Sequence, residues 1–141
     1  MTAVWVLLAT AVVVTAVGGA LRLRSGTVRA PAGQRLPDHL LALLPNATDG
    51  VTLVQLSTTF CAPCRQARVL LSDLAGRTPG LRHVEVDLTH RPELAEPLRV
   101  RSTPTTLAVD ADGRELLRLV GVPRREPLLA ALRPHLPRLP A

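Results

Sequence analysis

The sequence predicts an α/β domain, a mixed central sheet flanked by helices, preceded by one N-terminal transmembrane helix. Three observations carry this expectation. An uncharged apolar run occupies Ala3 to Leu21. From Val51 the hydrophobic pattern changes between strand and helix in the order strand, helix, strand, helix, strand, strand, helix, as expected of a mixed sheet with helices on its faces. Cys61 and Cys64 fall where the first of those strands gives way to a helix.

Composition narrows the possibilities. A chain of 141 residues, 47% hydrophobic and 20% charged, suits one folded domain and excludes a disordered chain. Two cysteines cannot staple a disulfide-rich scaffold or fill a four-cysteine zinc site. His39, His83, His90 and His135 lack the spacing of a metal motif, so no metal is expected. One Phe, one Trp and no Tyr leave little for stacking bases, and no nucleic-acid partner is expected. The formal charge is +6, with Arg as the only basic residue besides His. The absence of Lys reads as GC-rich coding bias, yet an arginine excess still favours anionic surfaces such as lipid headgroups.

The elements follow in order. Ala3 to Leu21 would span about 29 Å as a helix, at ~1.5 Å per residue, which matches a bilayer core. Trp5 lies near one end, where an interfacial aromatic sits. A buried soluble helix would need a polar face, and a signal peptide would need a basic start, which Met1-Thr2 does not supply. A retained single-pass anchor over residues 1–21 is therefore expected. Arg22, Arg24, Arg29 and Arg35 follow the span and no basic side chain precedes it. The positive-inside bias then places the remaining chain in the cytoplasm, with an extracytoplasmic domain as the alternative.

Residues 22–48 read as a juxtamembrane linker with a short edge strand near Thr27 to Ala30. A helical turn follows from Asp38, its expected N-cap, to Leu44, with Pro45-Asn46 as the stop. The folded domain is expected over residues 49–137 and a disordered tail over 138–141. Val51 to Thr58 is β-branched and apolar, a buried strand. A helix runs from about Ala62 to Ala75, closed by Gly76. Leu81 to Leu88 alternates as a strand, and Pro92 to Leu98 reads as a short helix opened by proline. Pro104 to Asp110 and Arg114 to Val120 form a hairpin across Ala111-Asp112-Gly113. Arg124 to Leu136 closes the domain as an amphipathic helix with its arginines on the solvated face.

The chemistry lies in Cys61-Ala62-Pro63-Cys64. A free cysteine of pKa ~8.5 is only about 3% thiolate at pH 7. At a helix N-terminus the first cysteine faces unpaired backbone N–H groups and the positive end of the dipole, which favour the anion. Thiolate is the nucleophile of disulfide exchange. Cys61 is thus expected as the exposed attacker and Cys64, one turn inward, as the resolving thiol. Pro63 fits a helical first turn, and Arg65 adds positive charge nearby. A pair of inert buried cysteines, or half of an intermolecular zinc site, is the competing reading.

The segment VTLVQLSTTFCAPCRQARVLL resembles the active-site region of thioredoxins and of membrane-tethered thioredoxin-like proteins. The resemblance covers about Val51 to Leu136. It includes Arg101-Ser102-Thr103-Pro104-Thr105, similar to the family's cis-proline loop, and Val120-Gly121, similar to the glycine after its last strand. It implies a thioredoxin fold, a redox disulfide between Cys61 and Cys64, and no cofactor. It also implies substrate contact at Phe60, Ala62, Pro63, Thr103 and Pro104. Protein disulfides are the implied substrates, an unidentified thiol partner the electron donor, and a monomer the expected state. The sequence departs from the family where its buried acid aligns with Gln55, its usual tryptophan with Phe60, and its neighbouring lysine with His83. His83 is the candidate proton acceptor for Cys64, since imidazole titrates near neutrality; a structural histidine is the alternative. Glu85 and Asp87, alternating on the same strand, are expected to face water. The expected function is membrane-tethered thiol–disulfide exchange. The alternative is a non-catalytic binding module or redox sensor, docking a partner or handling copper at the membrane.

Overall fold

The computed structural model describes residues 2–24, 26–29, 33–42, 44 and 50–137. The expected 138–141 tail and the Pro45-Asn46 stop lie outside the described residues. The apolar run forms helix α1 (Thr2–Arg24), somewhat longer than the uncharged run itself. Its segment Thr2–Ala20 is long and apolar enough to cross a membrane, and none of it is buried against the rest of the chain.

Among the described residues, five strands make one sheet: β1 (Thr27–Arg29), β2 (Val51–Ser57), β3 (Leu81–Asp87), β4 (Thr105–Val109) and β5 (Glu115–Val120), in the order β1-β5-β4-β2-β3. Of these, β2 and β3 run parallel; the other three pairings are antiparallel. A parallel pair needs a crossover, and helix α3 (Ala62–Arg77) supplies it. The 105–120 hairpin turns where the Asp110 carboxylate accepts the N–H groups of Asp112 and Arg114, with Gly113 at φ 76°.

Side-chain alternation along β2 divides the core. Val51 and Leu53 face α3 and helix α4 (Arg125–Leu132), where they pack with Ala67, Leu71, Leu119 and Leu128. Val54 and Leu56 face the other way, against Leu40 of helix α2 (Asp38–Leu41), Leu94 and Leu98. Gln55 shares the α3 side with Leu53. So do Leu81, His83, Glu85 and Asp87 on β3, because strand residues two apart share a face.

Several boundaries differ from expectation for local reasons. Helix α3 continues through Gly76 to Arg77, and the chain reverses instead at Gly80, whose φ is 77°. Pro37 rather than Asp38 precedes α2, and no side chain caps it. Only Pro92–Leu94 of the expected 92–98 helix is regular, as a 3-10 turn. Pro97 removes a donor there, and Arg99 turns to φ 52°. The last helix ends at Leu132 and continues as a 3-10 turn, Arg133–His135. Arg125 is not merely solvated: it pairs with Asp73 and ties α4 to α3.

Candidate active site

Strand β2 ends at Ser57, and a short loop delivers Cys61 to the N-cap of α3. Cys61 has extended backbone angles, as an N-cap requires, and its sulfur accepts the backbone N–H of Cys64 at 3.2 Å. Pro63 occupies the first turn, where a missing donor costs nothing. The two cysteines are joined as a disulfide.

Cys61 is less open than expected of an attacking residue. It is 8% exposed, against 1% for Cys64. What exposure it has opens onto a cleft of about 370 Å3 lined by Ser57, Cys64, Arg65, Arg68 and Glu85, among others. The sulfur is therefore approached along a cleft rather than from a bare surface.

One wall of that cleft is not legible in the sequence. Glu85 accepts a 2.7 Å hydrogen bond from the Ser57 hydroxyl and pairs with the Arg68 guanidinium at 2.6 Å. The Glu85 carboxylate beside Arg68 holds that guanidinium more firmly protonated than usual. Asp87 accepts from the backbone of Thr89 and from Thr59, and the Thr89 side chain and backbone hold its carboxyl below the usual range. Both acids thus brace the loop before Cys61 instead of only facing water. The available signal was their shared face with His83 and the position of Arg68, one turn along α3 from Cys64.

Gln55 and His83 meet as their alignment suggests, through an amide. The Gln55 side-chain N–H donates to the Cys64 carbonyl at 2.9 Å, and its oxygen meets His83 Nε2 at 3.0 Å. The Gln55 oxygen can only accept, so Nε2 carries the proton and Nδ1 accepts from the Ser72 hydroxyl at 2.9 Å. Burial pushes the His83 imidazole below its ordinary pKa; Glu85 opposes this and Arg68 adds to it. His83 is therefore neutral at pH 7, and Gln55 stands between it and Cys64.

The Thr103–Pro104 peptide bond, immediately before β4, is cis. The Thr58 and Thr103 hydroxyls lie 3.3 Å apart, joining the loop before Cys61 to the proline loop. A groove of about 320 Å3 runs beside them, lined by Leu88, Pro92, Val100, Ser102 and Thr103. Phe60 is 99% exposed and Ala62 and Pro63 are also at the surface, whereas Pro104 is buried.

Residues 46–135 match the family model of a thioredoxin-like domain. The chain is similar to the thioredoxin of Staphylococcus saprophyticus, 34% identical over 92 residues, which cover 64% of this chain and 88% of that one. It is also similar to the thioredoxin of Chlamydia trachomatis, 31% identical over 86 residues, covering 61% and 83%. Among solved structures, Fasciola hepatica thioredoxin superposes with a TM-score of 0.59 at 24% identity, covering 70% of this chain and 92% of that chain. The oxidised form of mitochondrial thioredoxin 3 from Saccharomyces cerevisiae gives 0.56 at 21%, covering 69% and 88%. These two structures establish the fold. With a strand-to-helix cysteine pair closed as a disulfide and a family model spanning most of the chain, the protein belongs to the thioredoxin-like family.

Proposed function

We propose that this protein is a membrane-tethered thiol–disulfide oxidoreductase that reduces protein disulfides. The observation that carries this is the Cys61 sulfur at the N-cap of α3, receiving a backbone N–H in an accessible cleft. The Cys61 thiolate attacks one sulfur of a substrate disulfide, and the other sulfur leaves as thiolate. Cys64 loses its proton and attacks the Cys61 sulfur, releasing the second substrate thiol. Two electrons pass to the substrate, and the Cys61–Cys64 disulfide remains for a dithiol partner to reduce. Phe60, Ala62, Pro63 and Thr103 form the proposed substrate surface, and the buried Pro104 contributes by fixing the Thr103 backbone. Helix α1 is the anchor, and the arginines after it favour a cytoplasmic domain, where the thiol pool keeps the pair reduced. Insulin reduction by wild type and by Cys61→Ser tests the proposal: activity should vanish in the variant, and activity that survives it would favour the binding-module reading.

Two bases compete for the Cys64 proton. His83 meets Cys64 only through Gln55, and its unprotonated nitrogen, Nδ1, faces Ser72, whereas Glu85 lines the cleft together with both cysteines. An acceptor must be deprotonated, so a His83-dependent step is fully active at neutral pH. It fails as acid protonates the imidazole, below the ordinary histidine range because burial lowers the His83 pKa. Single-turnover rates of His83→Gln and Glu85→Gln across acidic to neutral pH separate the two. Loss of the acidic limb in His83→Gln would assign the proton to imidazole; a profile superimposable on wild type removes it from the reaction.

A further inference from the structure

Beyond the redox site, a cavity of about 430 Å3 lies beside β1, β5 and the start of the proline loop. Arg29, Arg99, Arg101 and Arg118 line it with Ser102 and Thr105, and no carboxylate is among its lining residues. Arg118 is committed: it makes a bidentate pair with Glu115 and donates to the Leu98 carbonyl. That fixes one wall and cancels its charge. Arg29, Arg99 and Arg101 are exposed and have no ion-pair partner among the described residues. Three uncompensated guanidinium groups around one concavity focus a positive field there. Their planar forks suit phosphate oxygens better than an ammonium would. The backbone also holds this placement at some cost. Arg99 is the one described non-glycine residue with positive φ, kept there by hydrogen bonds from its own N–H to Glu96 and from Val100 to Ala95.

We propose that this cavity binds the phosphate of an anionic lipid headgroup. The proposal rests on α1 being a membrane anchor. Arg29 is five residues beyond Arg24, the end of that helix. At no more than ~3.6 Å per residue, it stays within about 18 Å of the helix end. A headgroup phosphate is therefore the anion held permanently within reach, and Arg22 and Arg24 raise its local concentration. Arg101 and Ser102 directly precede Thr103-Pro104, so an occupied cavity couples the lipid surface to the loop beside the cysteine pair.

The full-length protein in nanodiscs tests this. Hydrogen exchange over residues 99–103 is followed in phosphatidylcholine discs and in discs containing phosphatidylglycerol. Exchange should be slower in the anionic discs, and the protection should fade as salt rises. Each arginine beside an anionic surface is worth about five-fold in binding, so Arg29→Gln/Arg99→Gln should lose most of the protection while keeping its melting transition. The salt titration of wild type serves if that variant does not fold. Equal exchange in both discs, or protection indifferent to salt, overturns the proposal. Equal protection by millimolar glycerol phosphate in neutral discs also overturns the lipid assignment and gives the cavity to a soluble phosphate compound. A chain extracted from membranes by alkaline carbonate would instead overturn the anchor reading, a result distinct from intact insertion with an empty cavity.

Discussion

Cys64→Ser should stop turnover by several orders of magnitude while leaving Cys61 able to form, and then keep, a bond to its substrate. Cys64 lies one helical turn from Cys61, with 5.2 Å between their Cα atoms. That geometry makes resolution intramolecular, an advantage equivalent to an effective thiol concentration of about 10^5 M or more. No external thiol approaches that value, and the cleft limits access to the Cys61 sulfur. Serine keeps the size and the helical backbone but supplies no comparable nucleophile. The measurement is the intact mass of the protein after exposure to a disulfide-containing peptide. Cys64→Ser should carry one peptide, released by dithiothreitol; Cys61→Ser should carry none. Wild-type turnover by Cys64→Ser would show that a second molecule resolves the adduct, and the paired-cysteine scheme would fail.

The largest effect on stability is expected from Leu71→Ala. Among the described residues the core contains no aromatic side chain: Phe60 is exposed beside the cysteines and Trp5 is exposed on α1. Leucine and valine fill both faces of the sheet. Leu71 is fully buried and belongs to the cluster between α3, β2 and α4. Truncating such a leucine costs about 2–5 kcal/mol, because the cavity left behind collapses only in part. A domain of this size has roughly 5–15 kcal/mol in hand, and each kcal/mol moves the melting temperature by about 4–8 °C. The transition should therefore fall by about 8–40 °C, read by circular dichroism of the full chain. Leu71→Met keeps the volume and should cost less than about 1.5 kcal/mol. A fall of only a few degrees for the alanine variant would mean that the α3 face is not tightly packed.

What the sequence reveals about this fold tracks how local each determinant is. Strand β2, the Cys61-Ala62-Pro63-Cys64 turn and the Asp110–Arg114 hairpin are visible because their causes lie within a few residues. The end of α3 is not, because Gly76 tolerates helical geometry and the chain reverses only at Gly80. The expected helix after Pro92 fails for a reason that is local but easily overlooked, a second proline at position 97. At the site, the cysteines and the His83–Gln55 pairing are legible from spacing and alignment with the family. The Arg68–Glu85–Ser57 wall is not, because it needs the register of β2 against β3 and the rotation of α3 above them. Nor is the arginine cavity, which gathers residues from β1, β4, β5 and the loop before Pro104.

Strand β3 forms one rim of the sheet, and among the described residues its outer backbone groups have no neighbouring strand. Unclaimed rims invite a second molecule to extend the ladder, the first event in fibril growth. Here that strand carries His83, Glu85 and Asp87 on its α3 side, alternating with Val84 and Val86, and Arg82 on the other side. Docking another copy would bury this polar row at a heavy desolvation cost. The same acids that steady the loop before Cys61 thus also guard the open edge of the sheet against pairing with another copy.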